Sequence, residues 1–323
     1  MTTATRRNAF QIFGSQVEAT SAQNAAIQAG LDWHVQLAEL QALAISNDGV
    51  NTIPVKDRFA TVRTNKSGDQ SVLGTVGGRY KVFQNGEMFS ALDALVDSGE
   101  ARYSYAGELS GGSQVYMVME LPKEVKIAGD PHAAYLLART SHDGSSSLGI
   151  TPVINRLYCS NQIKGIFRKQ VSYSVKHTTN AKLSVADMRK VIDVVYQGIT
   201  WYEELANHLI KVEIDDNEAK DIFAKMWTLP SEIANTPYSM LTTGQRRKYN
   251  TVTRSRDTAL SIYKGSTGTQ ENIQGTAFGA MQAIIEYADH FSHKDEYTRA
   301  ERVISGSADK IKNRAVTLLT KGA

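Results

Sequence analysis

Apolar and polar positions alternate in short runs through roughly the first half of the chain, then settle into a helical rhythm that lasts to the end. The opening 20 residues are polar with scattered apolar positions and read as a lightly packed lead-in. Ser21 to Gly30 has helix-forming composition, with Gly30 as its stop. Trp33, Val35, Leu37 and Leu40 are spaced for a short strand or a helix, and the pattern does not separate the two. Arg58–Arg63 and Ser71–Val76 form a hairpin about NKSGD, where Asn65 and Gly68 supply the turn chemistry. Arg79–Phe83 reads as a strand, followed by a helix from Gly86 to Ser98 with Asn85 as its N-cap. Met88, Phe89, Leu92, Leu95 and Val96 then form one apolar stripe.

Two strands follow on either side of Gly111 and Gly112, and the unbroken apolar run Val115–Met119 predicts a strand covered on both faces. Ala134–Thr140 and Leu148–Tyr158 make another hairpin, in which Pro152 marks an edge or a bulge. Helices are predicted at Val185–Val212, Asp216–Trp227, Gly244–Lys264, Thr276–His293 and Asp309–Leu319, with TLPSEIANTPYSML as an extended crossing loop. The fold class is α+β. An antiparallel, hairpin-rich part with one or more helices packed on its sheet occupies residues 1–182, and a helical part occupies residues 183–323.

Composition narrows the function classes. An apolar content of 41% in 323 residues supports a full core. The formal charge is +3, divided unevenly: residues 1–161 carry 13 basic and 15 acidic side chains, and residues 162–323 carry 23 and 18. Any polyanion-binding footprint is therefore expected mainly in the second half. Cys159 is the one cysteine, which excludes an internal disulfide and a thiolate-rich zinc site and fits a reducing cytoplasm. No apolar run of about 18 residues occurs, so no membrane span is expected.

Several stretches resemble the bacterial phage/plasmid-like protein family, a domain of unknown function common on phages and plasmids. They are AGLDW near residue 30, GTVGGRYKVFQNGEMFSALDAL from Gly74, and HAAYLLARTSHDGSSSLGITPVINRLYCSNQI from His132 to Ile163. TAFGAMQAIIEYADH from Thr276 and RAERVISGSADKIKNRAVTLL from Arg299 continue the series in order. Phe278 stands where such proteins often carry tryptophan, and SNQI replaces the commoner N-T pair after the cysteine. The resemblance implies a mobile-element origin and an intracellular role, and it carries over no catalytic residues.

Candidate chemistry follows from residue types. Ser141, His142 and Asp143 are adjacent, but successive strand residues point to opposite faces, so they make no hydrolytic triad. The same turn suits anion contact: Gly144 permits positive φ, and Ser145 and Ser146 offer hydroxyl and amide donors, with Arg139 near the hairpin's end. Arg156 leads to Asn161, a candidate cap for a short helix with Lys164 and Arg168 on one face. Arg79, Lys81 and Phe83 interleave cations with an aromatic, the pairing that single-stranded nucleic acid uses. Arg247 and Arg254 align seven residues apart in QRRKYNTVTRSR.

These residues predict a non-enzymatic DNA- or RNA-binding accessory protein, suited to single-stranded DNA handling in replication or recombination, with no cofactor; a homo-oligomer is expected only by analogy with the annealing proteins of mobile elements. Two alternatives stand beside it. One is a module that binds and inhibits a host or defence protein. The other is a metal-dependent hydrolase or nuclease built on Glu286, His290 and His293, which share a helix face.

Overall fold

The computed structural model describes residues 7–47, 49–122, 125–127, 129–156, 161–163, 173–175, 185–266 and 273–320. In chain order the elements are α1 (Ala9–Phe13), β1 (Gly14–Gln16), α2 (Ala22–Gln28), β2 (His34–Ser46), β3 (Gly49–Thr64) and β4 (Gln70–Gly77). Then come α3 (Asn85–Phe89), α4 (Asp93–Asp97), β5 (Arg102–Leu109), β6 (Gln114–Glu120), β7 (Val125–Ile127), β8 (Asp130–Ser141) and β9 (Leu148–Arg156). They are followed by β10 (Gln162–Ile163), β11 (Tyr173–Val175), α5 (Val185–Ile210), α6 (Asp216–Met226), α7 (Ser231–Ala234) and α8 (Thr243–Ser261). The last three are α9 (Ala277–Glu286), α10 (Glu296–Ser305) and α11 (Asp309–Thr320). Antiparallel sheets in the N-terminal half and helices in the C-terminal half make the class α+β.

The larger sheet runs β1-β5-β6-β8-β9-β10, with β7 beside β8 and β11 beside β9. Every pair is antiparallel. Alternation along β6 divides its apolar run between two cores. Val115, Met117 and Met119 join the largest buried cluster with residues of α2, α3, α5 and α9. Tyr116 and Val118 face the other way, onto Phe10 of α1 and Ala300, Val303 and Ile304 of α10. Helices thus cover both faces of this strand, as its continuous apolar character predicts. The largest cluster reaches from Val17 to Leu319.

Pro152 pairs with Leu136 on β8, while on its other side β10 meets Ile154 and Asn155 and β11 meets Leu148–Ile150. The proline falls in the gap between those two short partners, where its missing N–H breaks no ladder. All ten residues of α9 are buried. One side, Ala277, Phe278, Met281 and Ile285, packs toward the sheet, and the other, Ala280, Ala283 and Ile284, packs onto α6, α8 and α11. A helix held on every side needs no polar stripe.

The second sheet, β2-β3-β4, resolves the ambiguity at Trp33–Leu40 in favour of a strand, one of 13 residues. β4 pairs only with Arg58–Thr64 of β3, so the β2–β3 ribbon runs on alone past that point.

Three expectations need correction. Arg79–Phe83 is a turn and loop rather than a strand, because β4 ends at Gly77. Asn85 is the first helical residue rather than the cap: its side chain is drawn inward, donating to the Leu31 carbonyl at 2.7 Å and meeting His142 Nε2 at 2.8 Å. The linker after Trp227 is not extended; Pro230 and Pro237 each open a short helical turn, at Ser231–Ala234 and Tyr238–Met240.

Candidate nucleic-acid interface

From Asn235 to Arg256 the chain carries five basic side chains and no acidic one. The segment builds most of α8 and the turn that leads into it; Asp257, exposed in the last part of the helix, is its one carboxylate. Thr242 caps the helix, and Gln245 returns the bond to the Thr242 amide at 2.9 Å, a reciprocal capping box. Val252, Ser255 and Ala259 form the buried side. Arg247, Lys248 and Arg254 are exposed and make no ion pair among the described residues. Seven residues separate Arg247 from Arg254, about 10 Å along the axis and nearly two full turns, so both lie on one face.

The lead-in turn adds aromatic surface at the N-terminal end of the same helix. Tyr238 is 46% exposed and Met240 75%. The Tyr238 ring is held from several sides: Arg246 stands 5.6 Å from its centre, Tyr249 meets it edge-on at 5.3 Å, and Asn250 donates to its hydroxyl at 3.1 Å. Arg246 is itself fixed by a 2.6 Å bond to the Ser239 carbonyl. A half-exposed ring immobilised next to a guanidinium is a ready stacking surface, since little side-chain entropy remains to be lost. Arg256 takes no part: it donates to the Trp227 and Ala224 carbonyls and closes the C-terminus of α6.

The other sequence-predicted residues divide between exposed and buried. Arg79 and Lys81 are exposed in the loop after β4, whereas Phe83 is buried in the main core with the Lys81 ammonium 5.0 Å from its ring centre. That loop is tied to the Ser145–Ser146 turn by Tyr80, whose hydroxyl donates to the Ser141 carbonyl at 3.0 Å. Burial, with Asp143 nearby, pushes the Tyr80 hydroxyl well above the usual phenol range. The turn's amides are engaged internally: Ser145 N–H donates to Asp143 at 2.8 Å and Ser146 N–H to the Ser141 hydroxyl at 2.9 Å. These bonds close the turn on itself rather than leaving its amides open to an anion.

Arg139 donates to the Ile304 carbonyl at 3.1 Å, at the C-terminal end of α10. Arg156 is 1% exposed and Asn161 is fully buried, its amide directed at Gln282, so neither meets a strand at the surface. Asn161 leads into β10, not into a helix. Lys164 and Arg168 lie outside the described residues.

Glu286 is buried at the end of α9, His290 is half-buried one π-turn onward, and His293 is exposed. Desolvation, then Arg302 and Arg299, hold the His293 pKa below its ordinary value. Asp289, between them, is committed to Lys312 at 2.5 Å and to the Gln162 amide at 2.9 Å. No group of three or more His, Cys, Asp or Glu among the described residues is arranged to hold a metal ion. Nor is any helix among them long and apolar enough to cross a membrane.

Gly74 shows how tightly β4 and the turn are joined. A methyl group there would stand 2.3 Å from Asp143 Cβ and 2.6 Å from its Cα. Gly74→Ala is expected to lower stability by about 1–3 kcal/mol, as forced overpacking does. An unchanged urea midpoint for that variant would show that the turn yields easily.

Tyr238, Met240, Arg246 and Tyr249 were not anticipated from the sequence. The available signal was T-T-G-Q, a capping box at the helix start, preceded by a proline-led turn.

No solved structure and no curated protein matches the chain. A family model does match, over residues 72–316, and that span takes in the large sheet from β5 onward and α8. The chain belongs to the family described as a domain of unknown function, DUF932.

Proposed function

We propose that this is a non-enzymatic nucleic-acid-binding accessory protein of a phage or plasmid, serving single-stranded DNA in replication or recombination. The contact surface is α8 with its Tyr238–Met240 lead-in. The observation that carries the reading is the set of exposed cations Arg247, Lys248 and Arg254 on a helix whose lead-in turn holds an immobilised, half-exposed tyrosine, with no carboxylate from Asn235 to Arg256. Cations neutralise phosphates and release counterions, while an aromatic face accepts any base. The cations near the N-terminus of α8 oppose the helix dipole by some tenths of a kcal/mol each. A bound anion there relieves that repulsion.

The test is fluorescence anisotropy of a labelled single-stranded oligonucleotide against rising salt, with a duplex of the same sequence alongside. Affinity is expected to fall linearly on a log–log plot, with the single strand preferred. Binding that is absent at low salt, or indifferent to salt, would overturn the reading.

A further inference from the structure

The β2–β3 ribbon leaves the body of the protein at a pronounced bulge. Glu39 pairs with Phe59 and Gln41 with Pro54, so Leu40 alone faces Val55–Arg58. Asp57 takes the left-handed conformation there, with φ 55°. Beyond the bulge β2 continues to Ser46, about 20 Å of strand at the usual rise. No described residue from Gln36 to Arg58 is buried. A two-stranded ribbon without a third strand or a packed face is marginal in water.

Its surface is nonetheless apolar. Leu43 is 71% exposed, Ile45 84%, Val50 63% and Ile53 52%. Ile45 lies opposite Val50 and Leu43 opposite Thr52, so Leu43, Ile45 and Val50 share a face. This strip reaches the few hundred Å² at which exposed apolar surface marks a contact site.

We infer that the ribbon is a self-association arm whose occupant is the same arm of a second copy of this chain. Three observations select that partner. From Leu40 to Val55 the one ionisable side chain is Asp48, so neither a polyanion nor a charged protein surface finds a complement. The edge of β3 carries Pro54, which blunts strand addition, whereas the outer edge of β2 has neither proline nor lysine between Gln36 and Ser46. An antiparallel pair of identical edges is self-complementary about a two-fold axis. An axis at Leu43 sets that residue against its own copy and Ala42 against Ala44, and both arms then belong to a four-stranded ribbon. The pairing also brings the Leu43 side chains of the two copies into direct cross-strand contact on one face of that ribbon.

The experiment is sedimentation velocity of the full chain, without nucleic acid, over a range of protein concentrations. The parent protein is expected to sediment as a dimer, and Leu43→Asp, which places two carboxylates on the axis, as a monomer of half the mass. Gln41→Lys is the second variant, since an edge lysine discourages pairing without disturbing strand propensity on the folded arm. Unchanged circular dichroism in either variant establishes that it is folded. A parent protein that stays monomeric overturns the inference, and so does a folded variant of each kind that keeps the parent mass. A monomer that floats with phosphatidylcholine vesicles overturns it in favour of a lipid surface. Because α8 is untouched, loss of nucleic-acid binding by α8 variants has no bearing on this outcome.

Discussion

Replacing Lys312 with methionine is expected to lower the stability of the folded protein by about 3–5 kcal/mol, the range for breaking a buried ion pair from one side. The ammonium and Asp289 are 2.5 Å apart, with side chains 0% and 3% exposed. Lys312 on α11 also donates to the Gln162 carbonyl, and Asp289 accepts the Gln162 N–H at 2.9 Å. The two charges therefore grip both backbone groups of one β10 residue. With lysine removed, a carboxylate stays buried without its counter-charge, and the carbonyl of Gln162 loses its donor. The double variant Lys312→Met with Asp289→Asn is expected to recover most of the loss, because the stranded charge is gone and the amide oxygen still accepts the Gln162 N–H. Urea unfolding of the parent, both single variants and the double variant gives the coupling directly. A loss under about 1 kcal/mol for Lys312→Met would mean that solvent reaches the pair and screens it.

The second large effect concerns binding. Arg247→Ala, Lys248→Ala and Arg254→Ala combined are expected to reduce the salt slope on a single strand by about 2, at about 0.7 per phosphate contact. The affinity at low salt should fall by roughly two orders of magnitude, if each lost contact costs about 1 kcal/mol. Tyr238→Ala should behave differently: weaker binding by about 1–3 kcal/mol with the salt slope kept, because stacking releases no counterions. The three cations are exposed, so the melting temperature should stay near that of the parent. A triple variant that binds with the parent's slope would remove α8 from the interface.

The strands with one clear periodicity were legible from the sequence. β5, β6, β8 and β9 follow from runs such as Val115–Met119, where position along the strand decides which core receives each side chain. The helices from α5 onward follow equally from spacing, apart from α7 in the linker and α10. The α10 sequence EYTRAERVIS is polar enough to resemble a loop, yet Ala300, Val303 and Ile304 cap the far face of the sheet. The arm was hidden for the opposite reason. LAELQALAIS is composed of good helix formers, and its leucines and isoleucine imitate core residues although they face solvent. Propensity gave way there to the pairing of β2 with β3.

Cation placement was the least legible feature. Arg156 and Arg247 look alike in sequence, but one is buried at the end of β9 and the other stands in water. Nothing local in a sequence reports whether an arginine will meet a carbonyl or a solvent molecule. Arg139 bonds to a carbonyl 165 positions away, and Arg256 to one 29 positions away. The aromatic lead-in was missed because two prolines suggested an extended crossing, when each in fact begins a helical turn.

A cluster that holds Val17 and Leu319 together has a kinetic price. Distant parts of the polymer must find one another before their contacts return any free energy, and such topologies refold slowly. During that wait the bare strand edge near Leu43 is open to any neighbouring molecule. Recovery from denaturant should therefore fall as protein concentration rises, through misdirected strand pairing between half-folded chains.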